Sequence, residues 1–262
     1  MTKGVFMNKE HKIMIEMLDA METTEKWNKF TRAKNEVFRK KLDAEKAEKF
    51  ADYITQRFID TCNDKSIWGS FRNWENKSQD EKISITEKIV KLFIQNIKYD
   101  IQNNCVTLHN RDGSEYKKTD EHIDSMFRQE IIQSIPNLIV QHRDVPGAMM
   151  GVSRDRFLYV NFQHPFYDKI PVFFLMDLKH ELTHFVDMFV PSISIIDPDV
   201  NLDSQMFYAN PQRDRQLYEE NPLELNANQK RKDLRIKLEQ MLKNQENTAY
   251  AIAHSVNHVN EK

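Results

Sequence analysis

The segment His180-Glu181-Leu182-Thr183-His184 constrains this chain more than any other, because it has the pattern HExxH. If the segment is helical, His180 and His184 lie one turn apart and their imidazoles face the same side. Two neutral imidazoles at this spacing suit a zinc ion, which also needs a third protein ligand. Glu181, about 100° around the helix, then lies beside the metal. The pattern therefore predicts a metal site.

The residues around the motif follow the period of an amphipathic helix. The apolar side carries Phe174, Leu178, Leu182, Phe185 and Phe189, and the polar side carries Asp177, His180, Thr183, His184 and Asp187. We expect the apolar side to pack on the core and the histidines to face a cleft. The alternative is a solvated polar face that carries two histidines by coincidence.

The third ligand is sought downstream of the motif. A metzincin has Gly and His at the third and sixth positions after the second histidine, where this chain has Asp187 and Val190, so that class is excluded. The arrangement that remains needs a glutamate on a second helix. Residues 221–222 are an asparagine and a proline, which predict the start of such a helix, and Glu224 lies in its first turn.

Other interpretations of these acidic residues stay open. A glutamate three positions after an N-cap residue is also a capping-box pattern, in which Glu224 would only satisfy the end of the helix. Glu219 and Glu220 are reserve ligands. An aspartate-type site would use residues from a proline-containing connection, which are Asp197, Asp199 and Asp203.

Between His180 and Asn228 the chain resembles the gluzincin zinc metallopeptidases, and among them the anthrax lethal factor type of catalytic domain. The resemblance rests on HExxH followed by Val186-Asp187, and on Tyr218 shortly before a helix that bears a glutamate. It covers about a fifth of the chain.

The resemblance implies a role for each matching residue. Zinc would be held by His180, His184 and Glu224. Glu181 would be the general base, Tyr218 would donate to the developing oxyanion, and Asn228 would support a ligand. The family commonly has an acidic residue where this chain has Asn228, so this chain departs from the family's pattern at that position.

The implied function is zinc-dependent hydrolysis of peptide bonds in a peptide or protein substrate, with water activated by zinc and by Glu181. The alternative is a catalytically inactive zincin-like module or effector that acts through protein–protein contacts. A closed fourth position on the metal, filled by His164 or an acidic side chain, would favour the alternative.

Proline placement divides the chain. All eight prolines fall between Pro136 and Pro222, and the first 135 residues have none. This predicts an α+β fold that is mostly α, with an all-helical region over residues 1–100. Residues 101–262 would form the zincin-like domain, with a small sheet and the HExxH helix.

Apolar stripes predict the helices of the first region, and packing is their simplest role, although the first stripe could dock a protein partner. The first comprises Ile13, Met14, Met17, Leu18 and Met21. A second stripe, on one long helix or on a broken pair of helices, comprises Trp27, Phe30, Val37, Phe38, Phe50, Ile54, Phe58 and Cys62. A third, begun by Ser78 with Glu81 as a capping box, comprises Ile89, Val90, Phe93 and Ile97.

In the second region, residues 110–113 predict a hairpin and residues 120–135 a helix. The helix should bury Ile123, Met126, Phe127, Ile131 and Ile132. Residues 138–141 and 157–162 predict strands, and the second of these could be the sheet edge along which an extended peptide binds.

Composition excludes several classes of protein. No apolar run is long enough to span a bilayer, and the start lacks the apolar stretch of a signal peptide, so we expect a cytoplasmic protein, with export by a route without cleavage left open. With 38 basic and 40 acidic residues, a nucleic-acid partner is not indicated. Cys62 and Cys105 form no CxxC pair, which predicts free thiols.

Overall fold

The computed structural model describes residues 31–37, 44–110, 114–118, 120–143, 150–169, 171–194 and 215–259. It is mostly helical with one small sheet, so the α+β prediction is confirmed. Residues 31–37 are helical. The further helices are α1 (Ala44–Cys62), α2 (Gln79–Gln102), α3 (Glu121–Ser134), α4 (Pro165–Lys169), α5 (Pro171–Phe189), α6 (Arg215–Glu219), α7 (Pro222–Asn228) and α8 (Arg231–Val259). The strands are β1 (Ile139–His142), β2 (Met150–Val152) and β3 (Phe157–Val160).

Helices α1 and α2 carry the predicted apolar stripes. Phe50, Ile54, Phe58 and Cys62 of α1 are buried, as are Ile89, Val90, Phe93 and Ile97 of α2. Helix α2 begins with the predicted capping box, in which the side chains of Ser78 and Glu81 each bond the other's backbone N–H. Val37 departs from the prediction, because it is half exposed. The Met-rich stripe over residues 13–21, together with Trp27, Phe30 and Phe38, lies outside the described residues.

One hydrophobic core extends on both sides of residue 100. It joins α1 and α2 to the strands and to helix α5, which carries the HExxH motif. Trp74 links the two parts directly: its ring lies 5.0 Å from that of Phe174, and its indole N–H donates to the backbone oxygen of Tyr167 at 2.6 Å. The division into regions 1–100 and 101–262 stays a prediction. Within the described residues, no helix is both long and apolar enough to cross a membrane.

The sheet has the strand order β1-β3-β2. Strand β3 pairs in parallel with β1, Ile139 opposite Phe157, and antiparallel with β2, Met150 opposite Val160. The prediction that residues 157–162 form a sheet edge is therefore wrong, because β3 has a neighbour on each side. The strand against α5 is the short β2, which the sequence did not predict.

Helix α3 and the predicted hairpin agree only in part with the sequence prediction. Asp120 caps α3 by accepting from the backbone N–H groups of His122 and Ile123. Ile123 and Met126 are not inside, because 56% and 61% of their surfaces are exposed, whereas Phe127 and the two isoleucines at 131–132 pack against the core. The hairpin is reduced to one antiparallel bridge between His109 and Glu115, and residues 111–113 lie outside the described part.

Candidate metal centre

Helix α5 is buried on both its apolar and its polar side. Phe174, Leu178, Leu182 and Phe185 are fully buried, as the apolar period predicts. The polar side is also covered, because helices α7 and α8 and strand β2 contact α5. Thr183 and Asp187 are accordingly buried, and only 8% of each of His180 and His184 is exposed. The polar side is therefore not a solvated face.

Three side chains converge at this buried surface. The Nε2 atoms of His180 and His184 are 3.0 Å apart. The Glu224 carboxylate completes the group, with Oε2 at 3.2 Å from Nε2 of His180 and Oε1 at 3.0 Å from Nε2 of His184. In tetrahedral zinc sites, nitrogen and oxygen ligands at about 2.0–2.2 Å from the metal lie roughly 3.3 Å from one another. The separations fit a zinc ion closely.

The polar atoms of the cluster are also left unsatisfied in a way that suits a cation. Glu224 Oε1 is buried and, among the described residues, has no partner in hydrogen-bond geometry despite its short distance to His184. Leaving a buried acceptor without a donor is costly. Two imidazoles and a carboxylate, with atoms all within 4.8 Å of one another, are a donor set that zinc prefers.

Helix α7 places Glu224 in this cluster. The side chain of Asn221 caps the helix by accepting from the N–H of Leu223, and Pro222 occupies the first turn, as predicted. The N–H of Asn221 donates to the oxygen of Tyr218, so Glu224 does not serve the capping-box role. Its carboxylate instead faces the histidines.

The reserve ligands lie elsewhere. Glu219 accepts from Arg215 at 2.7 Å, and Glu220 accepts from Gln216 at 2.9 Å. Neither belongs to the cluster of potential metal ligands found among the described residues. The three alternative aspartates at positions 197, 199 and 203 lie outside the described part of the chain.

Charge at the cluster favours an ionised Glu224. Burial alone would raise the pKa of this carboxyl, but His180 and His184 beside it outweigh burial and lower the pKa to about 2. Burial would lower the pKa of His184, yet Glu224, Glu181 and Asp187 together raise it above its ordinary value. An ionised carboxylate beside two imidazoles is a donor set that a divalent metal ion binds.

Hydrogen bonds accepted by Asp187 form a clamp that connects α7 to α5. Asp187, fully buried on α5, accepts from the Asn226 side chain at 3.0 Å and from the Ser194 hydroxyl at 2.6 Å. Burial raises the pKa of Asp187 to about 6, although both donors oppose the rise. The supporting residue on α7 is therefore Asn226. Asn228, to which the resemblance gave that role, contacts Arg231 at 3.4 Å.

Two basic residues connect α5 to the end of α7 and to the start of α8. The buried ammonium of Lys179 donates to the backbone oxygens of Ala227 and Gln229, at 3.3 and 3.4 Å, and so satisfies carbonyls at the end of α7. Arg231, at the start of α8, donates to Asp177 of α5 at 2.7 Å. Together with the clamp at Asp187, these contacts fix the helix that bears Glu224 against the helix that bears the histidines.

Glu181 lies near enough to His184, and Tyr218 near enough to Glu181, for the carboxylate to shift the pKa of each neighbour. Glu181 Oε2 accepts from the backbone N–H of Val152 in strand β2 at 2.9 Å. Tyr218, on α6, is partly buried, and burial followed by the negative charges of Glu181 and Asp177 raises the pKa of its phenol. The phenol therefore stays protonated near neutral pH and can act as a donor.

His164 is not part of the cluster found among the described residues. His164 packs its ring against Phe166 and Tyr167, and its Nδ1 accepts from the N–H of Phe166. Arg215 forms an exposed ion pair with Glu219.

Replacing Asn226 with alanine tests the clamp. We expect the zinc-free chain to lose about 1–3 kcal/mol of unfolding free energy at neutral pH, because the buried carboxylate of Asp187 loses a donor. The pKa of Asp187 is already raised to about 6, from an ordinary value of 3.8, so the native state favours its protonated form. Loss of Asn226 raises that pKa further, and the destabilisation should therefore grow as pH rises and shrink in acid.

Urea unfolding on both sides of the Asp187 pKa measures this effect, with Asn228→Ala as the matched control on the same helix. Among the described residues, the control loses the contact with Arg231, and it should stay within about 0.5 kcal/mol of the parent chain. Equal losses in the two variants, or a loss that does not change with pH, would contradict the clamp.

The sequence did not indicate Asn226, Lys179 or strand β2, although Asp187 stood out on the polar side of the motif helix. The structure brings together His180, His184 and Glu224 as the sequence predicts, and the charge of Glu181 acts on His184. Comparison with protein families, with curated proteins and with experimentally determined structures finds no match to this chain.

Proposed function

We propose that the chain is a zinc-dependent metallopeptidase of the gluzincin type. The observation that carries this proposal is the convergence of His180, His184 and Glu224, from two helices, to within 4.8 Å of one another. A structural zinc site is usually closed by four protein ligands, whereas a catalytic site keeps three and leaves one position for water or substrate. Among the described residues the cluster has three members, which favours catalysis.

Exposure of the cluster supports the same conclusion. The side chain of Glu224 is 1% exposed, whereas those of His180 and His184 are 11% and 10% exposed. Within this buried cluster, the two histidines therefore lie nearer to solvent than Glu224 does. Glu181, also partly exposed, follows His180 on the same helix. A substrate could reach the histidines and Glu181 without displacing Glu224.

The chain's own residues would then perform separate tasks. His180, His184 and Glu224 hold the metal, and zinc, when bound, supplies Lewis acidity that polarises a carbonyl and lowers the pKa of water. Glu181 takes a proton from the attacking water on its carboxylate and passes it to the nitrogen of the leaving amine. Tyr218 donates its hydroxyl proton in a hydrogen bond to the developing oxyanion. The raised pKa of Tyr218 suits a donor of this kind.

Metal analysis combined with peptide hydrolysis tests the proposal. We expect about one zinc per chain by elemental analysis of protein purified without added metal and freed of any affinity tag. Hydrolysis of an internally quenched peptide library should stop on treatment with a chelator and return with stoichiometric zinc. A chain that takes up no zinc, or that holds zinc and cleaves no member of the library, would contradict the proposal; the second result would favour the binding module.

A further inference from the structure

Strand β2 places one backbone N–H against Glu181. Within the antiparallel pair, the N–H of Ser153 donates to the oxygen of Phe157 at 2.8 Å, and Gly151 stands opposite Tyr159. Because ladder bonds alternate along an antiparallel strand, the N–H of Val152 points away from β3. It donates to Oε2 of Glu181 at 2.9 Å instead. The outer side of the strand is thus in direct contact with the carboxylate of the motif helix.

This contact joins two firmly placed elements. Helix α5 is packed in the core, and β2 is fixed by its register with β3. A backbone N–H cannot rotate away as a side chain can, and hydrogen bonds to a charged acceptor are stronger than neutral ones. The bond therefore restricts the rotation of a flexible glutamate that is otherwise partly open to solvent. The Glu181 side chain therefore loses conformational entropy on folding, before any substrate binds.

We propose that the backbone N–H of Val152 is a positioning group that holds the carboxylate of Glu181 in place for proton transfer. This inference rests on the proposed function, because Glu181 is a base only in a hydrolase. Val152 does not itself touch a substrate in this role. It acts through Glu181, and its effect should appear in the rate of the chemical step and not in the binding of metal.

Amide hydrogen exchange tests the contact without metal and without activity. In the zinc-free chain, the Val152 amide should exchange at least tenfold faster in Glu181→Ala than in the parent chain. In Glu181→Gln it should stay protected, because a glutamine oxygen can still accept the bond. The Ser153 amide, which donates to Phe157, is the internal control and should not change.

Two exchange results would overturn the inference. An unchanged Val152 amide in Glu181→Ala would mean that the bond is not formed in solution. Faster exchange of both the Val152 and Ser153 amides would mean that Glu181 merely stabilises the strand. These measurements need only variants of Glu181, so they can refute the contact even if a substitution in β2 prevents folding.

Replacing Val152 with proline removes the N–H itself. Proline is tolerated in a strand where the lost N–H does not belong to the ladder, as here. We expect kcat to fall at least tenfold in Val152→Pro, with KM within twofold and zinc content unchanged. Val152→Ala keeps the N–H and should retain the kcat of the parent chain. In the Glu181→Gln background, proline should cause no further loss.

The outcomes separate this inference from the proposed function. If Glu181→Gln loses hydrolysis while Val152→Pro keeps its kcat, the positioning role is wrong and the peptidase stands. If Val152→Pro lowers kcat equally with and without Glu181, the proline acts through the fold and the inference is wrong. If the parent chain shows no zinc-dependent hydrolysis, the proposed function fails, and the positioning role fails with it whatever the exchange rates show.

Discussion

Glu181→Gln is expected to lower kcat by about a hundredfold to ten-thousandfold and to leave one zinc per chain. Glutamine has nearly the same size as glutamate, and its side-chain oxygen can still accept from the N–H of Val152. What it loses is the ability to take a proton from water and return it to the leaving amine. The measurement is steady-state kinetics on a peptide identified for the parent chain, with zinc content determined on the same samples.

The matched control is Glu219→Gln, which removes the same charge from an exposed residue of α6 that pairs with Arg215. It should keep the parent kcat, because surface ion pairs contribute little and Glu219 is not part of the cluster. Zinc content shows whether Glu181→Gln loses activity because the general base is gone or because zinc is no longer bound. If the variant kept the parent rate with zinc bound, Glu181 would not be the base and the proposed mechanism would be wrong.

The cluster of His180, His184 and Glu224 could be predicted because its signals are local. HExxH places two histidines one turn apart on a helix, and the asparagine and proline at 221–222 mark where a second helix begins, which places Glu224 in a first turn. The capping box at Ser78 and the buried stripe around Phe93 follow from the same kind of short-range rule. Each depends on residues a few positions apart, so no knowledge of the tertiary fold is needed.

Other features depend on which elements meet, and no local pattern carries that information. Strand β2 has three residues, too few for an alternating pattern to be visible, and its place beside α5 comes from pairing with β3. Asn226 and Lys179 become supports only because α7 lies across α5. Ile123 and Met126 fit the helical period yet are exposed, because in the described chain α3 packs through its other positions.

Glu224→Gln is expected to weaken zinc binding by at least about a hundredfold. Loss of a residue that only supports a metal ligand weakens binding by about 10- to 100-fold, and loss of a ligand itself should weaken it at least as much. The amide oxygen is a poorer ligand than a carboxylate, and the variant removes the negative charge that offsets the metal. The cluster is buried, so solvent screens this loss poorly. Competition with a chromophoric chelator of known affinity gives the dissociation constants for the parent chain and the variant.

Glu219→Gln and Glu220→Gln serve as controls, since both glutamates precede the same helix and were alternative ligands. A larger loss of zinc affinity in either of them than in Glu224→Gln would mean that Glu224 is the wrong ligand.

The pH dependence of zinc affinity provides a second test of Glu224. Because Glu224 helps to raise the pKa of His184, protons compete with zinc more strongly in the parent chain than in the variant. Zinc affinity should therefore fall more steeply in the parent chain than in Glu224→Gln as pH drops from about 8 to about 6.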